Sequence, residues 1–135
     1  MRNKICFFIV LFSLALFTNC SSDDDSPNQN NETYQKLIGK WYFEDPSTNP
    51  AMNNSFTFVS NGQVTYTYET LEGNGYDSET GTFSVNNDVL TMVFPETVTL
   101  IFVQKVVFID DNTVQFVQAE GSNEEPYEGT YYKVE

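Results

Sequence analysis

Four pairs of neighbouring carboxylates come closest to catalytic chemistry in this sequence: Glu44/Asp45, Glu69/Glu72, Asp110/Asp111 and Glu124/Glu125. Two carboxylates about 5 to 9 Å apart can cleave a glycosidic bond. All four pairs lie in or beside predicted turns, however, where a solvated charge is the ordinary role. The chain has no histidine, which removes the commonest general base near neutral pH and the usual catalytic triads. We therefore expect a protein that is not an enzyme.

The sequence contains only weak motifs for a metal site or a phosphate-binding loop. Asp77, Glu79 or the turn Asp110-Asp111-Asn112 could offer the oxygen ligands that Ca²⁺ prefers, but no D-x-D-x-D-G spacing accompanies them. Gly73-Asn74-Gly75 is followed by Ser78 where a phosphate-binding loop has its third glycine. We expect neither a metal site nor a cofactor.

Cys20 has the clearest chemistry. A cationic start precedes an apolar run, Ile5 to Phe17, that ends at Thr18-Asn19-Cys20. This pattern is typical of a secretory signal peptide and is too short for a membrane span of about 20 apolar residues. It resembles a bacterial lipobox, whose cysteine carries acyl chains such as palmitate. The alternative is an ordinary leader with a free or disulfide-bonded cysteine, but Cys6 lies inside the leader and leaves Cys20 without an intramolecular partner. The prediction is a lipoprotein signal peptide at 1–19 and a lipidated Cys20.

Residues 20–32 are predicted to be a disordered acidic tether behind the acyl chains. From Ser21 to Glu32 there is no large apolar residue, and such a composition cannot bury a core. Several acyl chains hold a protein on a membrane almost permanently, at about 0.8 kcal/mol per buried CH₂. The run SSDDD, Ser21 to Asp25, resembles the export signal of Bacteroidota-type surface lipoproteins, although a solvated spacer would carry the same charges. We expect a lipid anchor in the outer membrane and a domain that faces the cell exterior.

Net charge limits the partners. Without the leader the chain keeps four Lys and no Arg against nineteen Asp and Glu, a difference of −15. Nucleic acid is excluded, because its binding requires Lys and Arg to displace counterions. A small apolar ligand or a basic protein is compatible with this charge, although acidity also maintains solubility.

Residues 33–135 form one predicted all-β domain. Apolar and polar residues alternate with period two between turn signals, and only Thr33 to Lys36 could form a helical turn. About eight short strands joined by near-neighbour turns favour an antiparallel up-and-down meander that closes into a small barrel without edges. A two-sheet β-sandwich is the alternative. The predicted strands are Leu37 to Phe43, Ser55 to Val59, Val64 to Glu69, Tyr76 to Val85, Leu90 to Phe94, Thr97 to Ile109 (one bent strand or two), Val114 to Gln118 and Tyr127 to Val134.

Bulky side chains fall in phase on the predicted inward faces, and they form the candidate pocket lining: Phe58, Tyr66, Tyr68, Phe83, Met92 and Phe94. They could surround a small apolar or aromatic ligand. They could equally fill the interior, because a barrel of eight strands is just wide enough for side chains. The filled interior is the stronger expectation.

The segment LIGKWYFE, Leu37 to Glu44, resembles the Gly-x-Trp opening of lipocalin-like domains, with Gly39 and Trp41 in its fixed positions. The patterns SFTFVSNGQVTYTYE and GTFSVNNDVLTM that follow are similar to small bacterial lipocalin-like lipoproteins. The resemblance implies a non-catalytic binding role, and a Trp41 that plugs the barrel base without touching ligand. In larger lipocalins an arginine side chain packs across this tryptophan, whereas residues 33–135 of this chain contain no arginine. The alternative function is an acidic protein-interaction module with a filled barrel, such as a surface complex subunit or an inhibitor of a cationic enzyme like lysozyme.

Overall fold

A short helix precedes the strands. The structure is a computed structural model that describes residues 30–48, 54–70 and 75–134, so the predictions for the signal peptide, for Cys20 and for most of the tether lie outside the described residues. Helix α1, Glu32–Leu37, begins after Asn31, whose side chain accepts the Tyr34 N–H. An N-cap of this kind satisfies a helix donor that has no partner within the helix. The predicted helical turn is therefore confirmed, and it extends to Leu37, so the first strand begins two residues later than expected.

Eight antiparallel strands form one closed barrel in chain order, which confirms the predicted meander and excludes the two-sheet sandwich. The barrel closes between its first and last strands, where Trp41 lies opposite Lys133 and Tyr42 opposite Tyr132. The strands are β1 Gly39–Tyr42, β2 Ser55–Phe58, β3 Gln63–Glu69, β4 Tyr76–Asn86, β5 Val89–Pro95, β6 Thr99–Asp110, β7 Thr113–Gln118 and β8 Gly129–Lys133.

The strands differ widely in length. β1 and β2 have 4 residues each and β8 has 5, whereas β4 has 11 and β6 has 12. The stretch that allowed one bent strand or two is the single strand β6, with a register shift against β7 between Phe108 and Asp110. Among the residues described, no helix has the length and apolar character needed to cross a membrane.

Side chains fill the barrel for most of its length. Buried residues alternate with exposed ones along β4, β5 and β6, as expected for strands with one face toward a core. The core formed by the described residues is rich in aromatic rings, among them Phe56, Phe58, Phe83, Phe94, Phe102 and Phe116. Every strand of the barrel and every residue of this core follows Ser21, so the chain from Ser21 onward carries the whole of the described fold.

Helix α1 covers one end of the barrel, which we call the helix-covered end. The Tyr34 ring stacks on Phe83 with centroids 4.8 Å apart, and its hydroxyl donates to the Ser60 carbonyl at 3.0 Å. The Asn31 amide donates to the carbonyl of Asn87, in the β4–β5 turn, at 3.0 Å. Polar and apolar contacts together thus fix the helix across this end.

The Gly-x-Trp segment lies beside the helix and is joined to the last strand. Trp41 is fully buried, and its indole N–H donates to the Leu37 carbonyl at 2.7 Å. The Lys133 ammonium lies 5.3 Å from the Trp41 ring centroid and donates to the Ile38 carbonyl at 2.7 Å. A Cβ on Gly39, which has φ +128°, would lie only 2.7 Å from the Lys133 Cε. Gly39 is thus required both for its backbone conformation and for the space that Lys133 occupies over the tryptophan.

Candidate functional site

A pocket opens at the end of the barrel opposite α1, which we call the open end. Here β1, β3, β5 and β7 finish and β2, β4, β6 and β8 begin. The cavity has a volume of about 260 Å³, just under the range of roughly 300–1,000 Å³ usual for ligand sites. We call it the mouth pocket, and its lining residues are Phe43, Asn54, Tyr66, Pro126, Tyr127, Glu128 and Tyr131.

Four aromatic rings form the walls of the mouth pocket. Tyr66 and Tyr127 lie with ring centroids 4.6 Å apart, and Phe43 meets Tyr131 edge-on at 5.5 Å. Beneath them the fully buried Phe56 contacts Tyr66, Tyr127 and Tyr131 at centroid distances of 4.8, 5.1 and 5.7 Å. Each ring is therefore held by other rings, and the walls are continuous with the barrel core.

The backbone around Asn54 and Gly129 places these rings. The Phe43 N–H donates to the Asn54 carbonyl at 2.9 Å, and the Asn54 side chain accepts the Glu69 N–H at 3.0 Å and hydrogen-bonds the Tyr66 phenol. Gly129 has φ +141°, and a Cβ there would lie 2.8 Å from the Phe43 Cε2. Phe43 thus packs directly on the backbone of Gly129, a contact that only glycine permits.

The phenols of the mouth pocket resist ionisation. Burial raises the pKa of Tyr131 well above its ordinary value of 10.0, and the neighbouring Tyr66 and Tyr127 add to the effect. Burial is also the main cause of the raised pKa of Tyr66 and of Tyr127, and the negative charge of Glu79 raises both further. These rings therefore present neutral hydroxyls and electron-rich faces at physiological pH.

The charge of the barrel is divided unequally between its two ends. All four lysines of the described chain lie toward the helix-covered end, at Lys36, Lys40, Lys105 and Lys133, with Glu32, Asp88, Asp110 and Asp111. Ten acidic residues and no lysine surround the open end within the described part, namely Glu44, Asp45, Glu69, Asp77, Glu79, Glu96, Glu120, Glu124, Glu125 and Glu128. One end is therefore close to neutral, whereas the open end carries a formal charge near −10.

The six residues predicted to line a pocket are divided between core and mouth. Four of them, Phe58, Phe83, Met92 and Phe94, are buried in the packed interior, each no more than 3% exposed. Tyr66 lines the mouth pocket, and Tyr68 stacks on it at 5.3 Å while donating its hydroxyl to Glu79 at 3.0 Å. The inward-facing rows were thus assigned to the correct faces, and most of the site is built from other residues.

Sequence reasoning missed Phe43, Asn54, Tyr127, Glu128 and Tyr131 as site residues. Tyr127 and Tyr131 lie two positions before and two positions after Gly129, which is the spacing of side chains on one face of a strand. That spacing was the available signal for this wall of the pocket. Asn54 and Glu128 lie beside strands rather than within them, so no periodicity marks them.

The carboxylates considered for catalysis or calcium binding have local partners. Asp45 accepts the Ser47 N–H at 2.9 Å, Asp110 the Asn112 N–H at 2.9 Å and Asp77 the Ser78 N–H at 2.8 Å. Glu124 and Glu125 are exposed, and Glu72 lies outside the described residues. No group of three or more potential metal ligands occurs among the residues that the structure describes.

Comparison of the chain with protein-family models, with curated proteins and with solved structures finds no match.

Proposed function

We propose that this protein is a lipid-anchored, lipocalin-like barrel of the outer membrane with a non-catalytic binding role, and that the mouth pocket holds a small, largely hydrophobic ligand. The observation that carries the proposal is the concave wall of Phe43, Tyr66, Tyr127 and Tyr131 at the open end. Small-molecule sites are typically concave and aromatic, with a few polar groups that fix orientation. Asn54 and Glu128 are such groups here.

The filled interior restricts where binding can occur. Because Phe58, Phe83 and Met92 occupy the barrel centre, a ligand has no deep cup to enter. It would lie across the mouth, partly exposed, with its apolar face against the tyrosine rings. A volume of about 260 Å³ suits a small molecule or one end of a larger one.

Binding can be tested on the chain from Ser21 onward with an apolar fluorescent probe. We expect the probe to bind, and Phe43→Ala to weaken it by several-fold, because Phe43 is a wall of the pocket with 44% of its surface exposed. Val98→Ala is the matched control, since Val98 is an exposed apolar residue, 68% accessible, in the β5–β6 turn. Equal probe affinity in the two variants, or no probe binding at all, would reject the mouth pocket as a binding site.

The proposed anchor agrees with the position of the pocket. The described chain begins at Asn30, next to α1, so an acyl chain on Cys20 would attach through the helix-covered end and leave the mouth accessible from the opposite side. Asn30 is ten positions after Cys20, a reach of at most ~35 Å. We expect the full chain to incorporate a clickable fatty acid and to fractionate with outer membranes, and Cys20→Ser to lose the label. Labelling that survives Cys20→Ser would reject this anchor.

A second candidate function is supported by the acidic open end. A surface with ten carboxylates and no lysine would attract a basic protein, such as a cationic enzyme, over distances set by ionic strength. We expect such a partner to be retained by the immobilised protein at low salt and released at high salt. Failure to retain lysozyme or any other basic protein at low salt would argue against this role.

A further inference from the structure

We propose that the ligand of the mouth pocket is an organic cation, an ammonium group bearing apolar substituents, held over the tyrosine rings and opposite Glu128. This inference rests on the proposed function, since it names the ligand class of the same pocket. It follows from three features of the site: its aromatic walls, the position of its carboxylates and the distribution of lysines.

Four aromatic rings line one small volume. Tyr66, Tyr127, Tyr131 and Phe43 all line the cavity. The face of an aromatic ring attracts a cation within about 6 Å of its centroid, most strongly when the cation is desolvated. Tyrosine phenols are neutral at physiological pH, and burial raises the pKa of Tyr127 and of Tyr131 further above 10.0, so attraction to these rings would come from the aromatic face and not from a phenolate charge.

Two carboxylates lie close to these rings. Glu128 lines the pocket, and one of its oxygens accepts the Gln118 N–H at 2.8 Å. A carboxylate has about four acceptor positions, so Glu128 keeps both its charge and capacity for a ligand. Glu79 accepts the Tyr68 hydroxyl at 3.0 Å beside the ring that stacks on Tyr66. A cation in the pocket would therefore lie beside the Glu128 carboxylate, and Glu79 is close enough to the walls to raise the pKa of Tyr66 and of Tyr127.

No lysine of the described chain neutralises these charges. Lys36 pairs with Glu32 at 2.9 Å and Lys105 with Asp88 at 3.3 Å, whereas Lys133 reaches Ile38 and Trp41. Lys40 lies 4.9 Å from the centroid of the Tyr42 ring, and none of these contacts involves Glu128 or Glu79. An anionic ligand such as a fatty acid would be repelled by these carboxylates at the mouth, and a neutral ligand would leave them without a compensating positive charge.

The test compares benzyltrimethylammonium with neopentylbenzene, its uncharged carbon isostere, by NMR titration of the chain from Ser21 onward. The two molecules have nearly the same shape, so a difference in affinity reports the charge. We expect the cation to bind at least about tenfold more tightly in low salt, as cation–π contacts with two or more rings require. We also expect its advantage to shrink as ionic strength rises and the Debye length falls below about 10 Å.

Matched variants assign the effect to the pocket. Glu128→Gln should weaken the cation by about fivefold, the size of one partly exposed charge interaction, and leave the isostere unchanged. Glu125→Gln is the control, because it removes the same charge from the same loop at an exposed position outside the pocket lining.

The outcomes separate the two proposals. Equal affinity for cation and isostere, both perturbing Tyr66 and Tyr127, would overturn the cationic assignment and retain a neutral apolar ligand. Binding of neither molecule would overturn the mouth pocket itself. An equal loss of cation affinity in Glu128→Gln and Glu125→Gln would show diffuse attraction to the acidic end and would also overturn the assignment.

Discussion

Replacing Lys133 by methionine should destabilise the domain far more than the same replacement at Lys105. Both changes remove one positive charge and keep most of the side-chain length. Lys133 donates to the Ile38 carbonyl at 2.7 Å and lies 5.3 Å from the Trp41 ring centroid. Lys105 is 55% exposed and contacts only Asp88, at 3.3 Å, in a surface ion pair.

The expected magnitudes follow from these contacts. A hydrogen bond from a charged donor contributes about 1.5–3 kcal/mol, and a cation–π contact about 0.5–2 kcal/mol, so Lys133→Met should cost roughly 2–4 kcal/mol. An exposed ion pair contributes about 0–1 kcal/mol, which bounds the cost of Lys105→Met. For a domain of this size each kcal/mol lowers Tm by roughly 4–8 °C, so a difference of at least about 1 kcal/mol should separate the Tm values of the two variants by at least about 4 °C.

Urea unfolding provides the assay, because the single tryptophan of the chain is Trp41 itself, and its fluorescence reports directly on the contact. Lys133→Arg should retain most of the stability, since a guanidinium can both donate and stack on a ring. The free energies of unfolding of Lys133→Met and Lys105→Met could instead differ by less than about 0.5 kcal/mol, within the usual scatter of surface substitutions. That result would show that Lys133 does not stabilise the contact between β8 and the Gly-x-Trp segment, and it would refute the reasoning.

Three further changes test the core and the mouth. Gln104 is fully buried and its amide has no hydrogen-bond partner within the described chain. Gln104→Met should therefore raise the free energy of unfolding, measured in urea, by about 1–3 kcal/mol. A lower free energy of unfolding would show that the amide is hydrogen-bonded in the folded protein. Gly129→Ala should lower the free energy of unfolding by about 1–3 kcal/mol, because Gly129 has a positive φ, and it should displace Phe43. Gly75→Ala is the control, since no atom lies within 4 Å of a Cβ at that position, and it should leave stability nearly unchanged. Equal losses of stability in the two variants would contradict this account. The pKa of Tyr131 is raised above 10.0 in the folded state, so the unfolded state loses that proton first and stability should fall as pH rises above about 10. Phenolate absorbance should therefore appear together with loss of the β-sheet circular dichroism. Full ionisation of the tyrosines in a barrel that is still folded would contradict the prediction.

Most of the fold could be predicted from the sequence because strand periodicity and turn residues are local signals. Phe83 and Val85 alternate with polar neighbours and both are buried, and the turn between β4 and β5 is made by Asn87 in a left-handed conformation, as asparagine readily allows. Leu37 was assigned to the first strand because it is in phase with Trp41, yet it ends α1. An apolar residue in a short helix that precedes a strand satisfies both patterns, so periodicity alone could not separate them.

Contacts between distant parts of the chain were beyond sequence reasoning. The domain has no arginine that could pack across Trp41, and sequence reasoning did not identify the lysine on the last strand that lies over its ring. The pairing of β1 with β8 brings the two together, and it depends on closure of the whole barrel. The mouth pocket has the same origin, since Phe43 and Tyr131 belong to the first and last strands or their ends.

The position of the pocket follows from the unequal strand lengths. In a barrel whose centre is filled by side chains, space for a ligand can arise only where some strands end before others. β1, β2 and β8 are adjacent and short, whereas β4 and β6 on the other side are more than twice as long. Tyr131 is on β8, one of the short strands, and Tyr66 is on β3, which neighbours β2. Both residues line the cavity. Lengthening β1 and β2 at the open end by two residues on each strand should therefore close the pocket and preserve the core. The added pairs of residues would cover the tyrosine rings, and they would not change the packed interior between Phe56 and the helix-covered end.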